Sequence, residues 1–248
     1  KSSMSKLAYC SLLLFILQFH AGFAQAQTTP LSSPFKNIDT LATNDWWNRA
    51  PNEIINLKVN RDSVVAFGLY TVHAKVLKLT AQLYPLYPNE SRTVSLALYR
   101  DGKWNLVQKQ NINVLGWSAL FRIENWDYTK DIKYRIIHGD GAYFEGTIRK
   151  NPDNKDEIVM AALSCNSNHD RGLRKNYETN INYQEPDNMF FAGDQSYDHT
   201  EHTAAWLKFG LQFRETFRNR PCITIPDDHD IGQGNLWGEN GNLSTAKG

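Results

Sequence analysis

Two regimes of hydrophobic patterning divide the chain. In "RTVSLALYRDGKWNLV" apolar and polar positions alternate, with Val94, Leu96 and Leu98 on one face before Asp101-Gly102. Strict alternation is the period of a half-buried strand, and Asp-Gly between two such runs predicts a hairpin. "DIKYRIIHGDGAYFEGTIR" repeats the design: Ile132, Tyr134 and Ile136 alternate, Gly139-Asp140-Gly141 turns, and Phe144, Gly146 and Ile148 alternate back. "SVVAFGLYTV" and "SALFRIENW" supply further strands. Short strands with turn signals at this spacing predict an antiparallel β-sandwich of the immunoglobulin or fibronectin kind over residues 27–152. Trp46, Trp47, Trp104, Trp117 and Trp126 fall in this region, as core residues or as a sugar-binding platform.

Beyond the polar stretch "RKNPDNKDE" the pattern changes. "EIVMAAL", "NMFFA" and "CITIP" are continuous apolar runs. Such runs are the mark of strands buried on both faces of a parallel sheet. Between the last two, "EHTAAWLKFGLQFRETFRN" sets Ala205, Leu207, Phe209, Phe213 and Phe217 on one broad face. That spacing predicts a helix despite Gly210. Strands alternating with a helix predict an α/β domain over residues 153–248, with helices packed on the sheet.

The N-terminus carries a different signal. Lys6 precedes an apolar run over about residues 7–19, and Ala24-Gln25-Ala26 follows. This is the pattern of a secretory signal peptide over residues 1–26, cleaved after Ala26, and it implies a secreted or periplasmic protein. The run is too short to span a membrane well. The remaining composition is that of an ordinary globular chain: 248 residues, 41% hydrophobic, 27 Lys and Arg against 26 Asp and Glu. A net charge of +1 offers no basic patch for nucleic acid or an anionic membrane.

Each of the three apolar runs ends in a polar cluster: Ser164-Cys165-Asn166, Gly193-Asp194-Gln195, and Asp227-Asp228-His229-Asp230. Parallel sheets bind ligands at the carboxyl ends of their strands, so the clusters are expected to converge. Acids, a thiol and imidazoles at one edge read as a metal site. Capping of a following helix explains Asp194 equally well, but not four polar residues in a row after Pro226. His169, Asp170, His199 and His202 also follow these strand ends, as substrate contacts or as surface residues. Export makes a disulfide the default for Cys165 and Cys222. Their places at opposite ends of parallel strands put them about 15 Å apart, beyond the ~7 Å that a disulfide spans. Cys165 therefore reads as a thiol beside the acids, either a metal ligand or a plain buried cysteine.

"LSCNS", "PDNMFFAGDQSYDH" and "ITIPDDHDIGQGN", in this order behind a sandwich, resemble the alkaline phosphatase D (PhoD-like) branch of the metallophosphoesterases. The resemblance covers about residues 158–238. It implies the first half of an αββα metallophosphoesterase domain, incomplete, and hydrolysis of a small phosphate mono- or diester. It also implies ferric iron (Fe3+) and calcium (Ca2+) as cofactors. Carried over, Cys165 and Tyr197 would ligate iron, Asp194 would bridge the metals, and Asp228 would be a ligand, with Asp227 as the runner-up. His229 would be the catalytic residue facing the phosphate. The family's later motifs have no counterpart before Gly248. The chain thus reads as a C-terminally truncated fragment, whose activity alone is in question. The alternative is an exported, non-catalytic module that binds glycan or protein through the sandwich and carries a degenerate phosphoesterase domain.

Overall fold

The computed structural model describes residues 54–166, 172–198 and 202–231. The signal-peptide stretch, Trp46, Trp47, His169, Asp170, His199 and the residues after 231 lie outside them. Among the described residues no helix is long and apolar enough to cross a membrane.

Among the described residues, seven antiparallel strands form two sheets. β1 (Val65–His73), β2 (Val76–Leu83) and β5 (Ser118–Ile123) run in the order β1-β2-β5. β3 (Thr93–Arg100), β4 (Lys103–Asn111), β6 (Ile132–His138) and β7 (Ala142–Ile148) run in the order β4-β3-β6-β7. Both expected hairpins form, with Arg100 paired to Lys103 and His138 to Ala142. The alternation decides what is buried. Leu77, Leu79 and Phe121 from one sheet share a core with Leu96, Tyr134, Ile136 and Phe144 from the other. Trp117 and Trp126 are buried in that core, whereas Trp104 is only half-buried.

Past a stretch without regular structure come three parallel strands. β8 (Met160–Leu163), β9 (Asn188–Ala192) and β10 (Cys222–Ile225) run in the order β10-β9-β8. α1 (Lys175–Gln184) links the first two; α2 (His202–Gln212) and α3 (Arg214–Phe217) link the second and third. Two expectations need correction here. The single helix through Phe217 is two helices, broken at Phe213. Glu178 of α1 accepts the backbone N–H groups of Glu215 and Thr216 at 2.9 and 3.1 Å. A carboxylate there satisfies donors that a new helix start leaves open, so the break is stabilised from outside the segment. The apolar spacing survives the break because both pieces face one side chain: Phe191 of β9 meets Phe209, Phe213 and Phe217 at ring separations of 4.9, 5.0 and 5.6 Å.

The second correction concerns burial. Met189 and Phe191 are buried beneath α2 and α3, but the opposite face of the sheet is open, with Met160, Ile223 and Ile225 55%, 47% and 45% exposed. In "EIVMAAL" the strand starts only at Met160, and Ile158 and Val159 are exposed. A continuous apolar run reports that both faces suit burial; it does not say which element covers each.

The helices also seat the sheet against the sandwich. Trp206 donates from Nε1 to Gln82 Oε1 at 3.0 Å, and Arg214 donates from Nε to Ala66 O at 2.7 Å. The Phe67 ring lies so close to Gly210 that a Cβ there would stand 1.9 Å from it. Gly210, which weakens the helix pattern in the sequence, is thus the point of closest approach. Cys165 and Cys222 are both free, as their strand positions require. Burial pushes the Cys222 thiol up, so it stays protonated. Mass mapping of the non-reduced protein is expected to yield no peptide linked through both; a linked peptide would refute the register of β8 and β10.

Candidate metal centre

The three polar clusters meet, as the parallel strands require. Backbone strain marks the meeting point. Cys165 and Asp194, the residues at the turns leaving β8 and β9, hold left-handed φ values of 53° and 55°. Non-glycine residues rarely adopt that region, and such strain persists only where neighbours hold it. Here Cys165 N–H donates to Gly193 O at 3.3 Å and Asn166 N–H donates to Asp194 O at 2.8 Å.

Asp194, Asp228 and His229 each bring one potential ligand atom into a group spanning at most 4.8 Å. Tyr197 Oη donates to Asp194 Oδ2 at 3.0 Å, and Cys165 Sγ approaches the same oxygen at 3.6 Å. The Tyr197 ring lies 4.2 Å from the His229 ring. All five residues singled out from the sequence are therefore neighbours, although only three form the tight group. The other oxygen of Asp194, Oδ1, is buried without a hydrogen-bond partner. Desolvation, then hydrogen bonds with Cys165 and Asp194, raises the Tyr197 phenol. Carboxylates, an imidazole, a thiol and a phenol are the donors that hold divalent and ferric ions, and an unpartnered buried carboxylate oxygen is one that a cation would satisfy. The residues present fit a metal.

The acid run divides into two functions. Residues Asp228–Ile231 form a single helical turn, α4. Asp227 Oδ1 accepts Asp228 N–H at 2.9 Å, and Asp230 Oδ2 accepts Asp227 N–H at 3.0 Å. Asp230 thus makes the returning half of a capping box on Asp227 N–H, while its own N–H donates to the backbone oxygen of Asp227 at 3.0 Å. Asp230 reaches further, accepting Asp194 N–H at 2.7 Å and Ser196 N–H at 3.3 Å. Burial pushes its carboxyl up against the pull of those backbone N–H groups. Asp227, the runner-up ligand, is an exposed cap outside the tight group, which leaves Asp228 and His229 for chemistry. Capping thus explains half the run.

Two supporting residues carried no sequence signal beyond their polarity. Asn166 donates from Nδ2 to Gln195 O and Gln212 Oε1, and accepts from Arg174 Nε, so it ties the β8 loop to the β9 loop and α2. Buried Gln195 donates to Ile225 O at 2.9 Å, joining β9 to β10. His202 lies beside the centre, lining a cavity of about 260 Å³ with Trp206 and His229.

Gly193 gives the centre its sharpest test of backbone geometry. Its φ is 92°, and a Cβ would lie 2.4 Å from Asp227 Cβ. The obstacle is the start of the α4 turn, not a flexible side-chain tip. Gly193→Ala is expected to destabilise the protein by at least about 2 kcal/mol, read from urea unfolding. An unchanged midpoint would mean that the two loops do not meet as described.

No protein-family model matches the chain, and no curated protein matches it. Among solved structures it is similar to that of PhoD, at 15% sequence identity and a TM-score of 0.57. The match covers 73% of this chain but 42% of that one, so the chain spans about two-fifths of the structure it resembles. This likeness shows the fold. A GH family 64 laminaripentaose-producing β-1,3-glucanase from Paenibacillus barengoltzii matches over 39% of this chain and 26% of that one, at 12% identity and a TM-score of 0.24. A β-glucuronidase from an uncultured Clostridium sp. matches over 71% of this chain and 31% of that one, at 10% identity and a TM-score of 0.25. Scores at that level do not extend the fold assignment.

Proposed function

We propose that the protein is an exported, metal-dependent phosphoesterase that hydrolyses small phosphate mono- or diesters. One observation carries the reading: Asp194, whose Oδ1 is buried without a hydrogen-bond partner, groups with Asp228 and His229 at the ends of parallel strands. Leaving a carboxylate oxygen dry and unpaired costs stability, and a bound cation removes that cost. The fold likeness to PhoD and the motif resemblance point the same way.

In this reading Cys165, Asp194, Tyr197 and Asp228 would hold the metal ions, ferric iron and calcium being those that the motif resemblance implies. Bound there, the metals would polarise the phosphoryl group and supply hydroxide near neutral pH. The chain's own residues set the stage. Tyr197 and Cys165 both direct their protons at Asp194 Oδ2, so loading the site releases protons and metal affinity rises with pH. His229, against the Tyr197 ring, would face the phosphate and either stabilise the developing oxyanion or protonate the leaving group. The finer fold reading is an immunoglobulin-like sandwich over residues 27–152 and the first half of an αββα phosphoesterase domain over 153–248. It is supported by the open apolar face of β10-β9-β8, which suits a second sheet. Export rests on the leader pattern in residues 1–26.

The test is turnover of nitrophenyl phosphate and bis(nitrophenyl) phosphate by the full chain, with elemental analysis. Bound metal, turnover, loss of both on chelation and recovery on reloading are expected. Full turnover by protein stripped of metal, or neither metal nor turnover in any preparation, would overturn the reading.

A further inference from the structure

The outer face of the β4-β3-β6-β7 sheet carries a feature that the phosphoesterase reading leaves unused. Trp104 on β4 and Tyr99 on β3 are directly paired, with ring centroids 5.3 Å apart. Arg135 on β6 lies over the Trp104 ring at 4.3 Å and over the Tyr143 ring of β7 at 4.6 Å. Glu145 pairs with Arg135 across the strands and fixes the guanidinium in place. The row crosses four adjacent strands, about 14 Å at the usual strand spacing. It is not a covered core: Tyr99 is 42% exposed and Tyr143 is 52% exposed. Lys109, paired with Ser95, and Lys133, two residues before Arg135, lie on the same outward register and are exposed. Lys109 and Lys133 thus place two exposed cations beside the Arg135–Glu145 pair.

The pattern limits what can bind. Here a cation sits between two rings at the centre, and further cations stand beside them. The complement is a ligand in which flat apolar C–H faces and carboxylates alternate along an extended chain. We propose that this face binds an acidic polysaccharide, its pyranose faces against Tyr99 and Tyr143 and its uronate carboxylates beside Lys109, Lys133 and Arg135. The proposal is independent of the metal centre, since none of these residues belongs to it.

Affinity electrophoresis of the full chain in gels containing polygalacturonate tests it, with a neutral β-glucan and phosphatidylglycerol vesicles as comparison ligands. Polygalacturonate is expected to retard the protein, and added salt to weaken the effect. Tyr143→Ser and Lys133→Glu are each expected to weaken binding about tenfold, the effect of losing one ring or charge contact. Phosphoesterase turnover is expected to be unchanged in both. Lys133→Glu alters an exposed strand position and keeps the test valid should Tyr143→Ser fold poorly. Absence of retardation, equal binding to the neutral glucan or the vesicles, or wild-type affinity in the Lys133→Glu variant would each overturn the proposal.

Discussion

Asp228→Asn in the full chain is expected to cut phosphoesterase turnover by at least about 100-fold, the scale reached even by changes behind a metal ligand. The metal-free protein is expected to melt no lower than wild type. Both outcomes follow from one geometry. Asp194 and Asp228 hold carboxylate oxygens within the same 4.8 Å group. Without a cation these negative charges repel, so removing one relieves the folded state. With a cation they are ligands, so removing one costs affinity. His229→Ala is expected to lower turnover on the order of 100-fold, with metal content falling less than in Asp228→Asn because both carboxylates remain. Elemental analysis beside nitrophenyl ester turnover distinguishes the two variants. Wild-type turnover in both would leave residues 227–230 as a capped surface turn and remove the main support for the phosphoesterase reading.

Phe191→Ala is expected to be the most damaging core change, at about 3–5 kcal/mol. Phe191 is the central strand's contribution to a cluster with Phe209, Phe213 and Phe217, and its own exposure is 1%. Phe217 in turn touches Phe67 of β1 at 6.2 Å, so the cavity would open between the sheet, both helices and the sandwich. A loss of this size lowers the melting temperature on the order of 10 °C for a chain of this length. Phe191→Leu, which leaves a much smaller void, is expected to lose far less. Equal losses for Ala and Leu would indicate that edge-on ring contacts, and not filled volume, hold the cluster together. Because Asp194 lies three residues after Phe191, metal affinity in Phe191→Ala reports whether the core positions the site.

Much of the fold was legible because local patterns report local physics. Alternation in Val94, Leu96 and Leu98 states which side chains face the core, and Asp101-Gly102 states where the chain turns. The break at Phe213 was hidden because the apolar period runs through it, and its cause, Glu178, sits in a helix that carries no apolar face of its own beyond Ile181. The open face of β10-β9-β8 was equally invisible, since an apolar side chain states a preference for burial and not the presence of a cover.

The candidate site divides along the same line. The sequence by itself determined which chemical groups follow the three apolar strands, and hence that Cys165, Asp194, Tyr197, Asp228 and His229 would share an edge. Strand direction and the rule that parallel sheets open at their carboxyl ends suffice for that. Only the tertiary structure decided how the acid run is shared out. Asp230 became a cap because the backbone N–H groups of Asp194, Ser196 and Asp227 needed acceptors once the two loops met, while Asp227 caps Asp228 N–H. Asp194 Oδ1 was left buried without a hydrogen-bond partner, which no residue type announces in advance. A hydrogen bond between loops 36 residues apart depends on where both strands end, and that is settled by packing on Phe191 and Gly210, not by the local sequence.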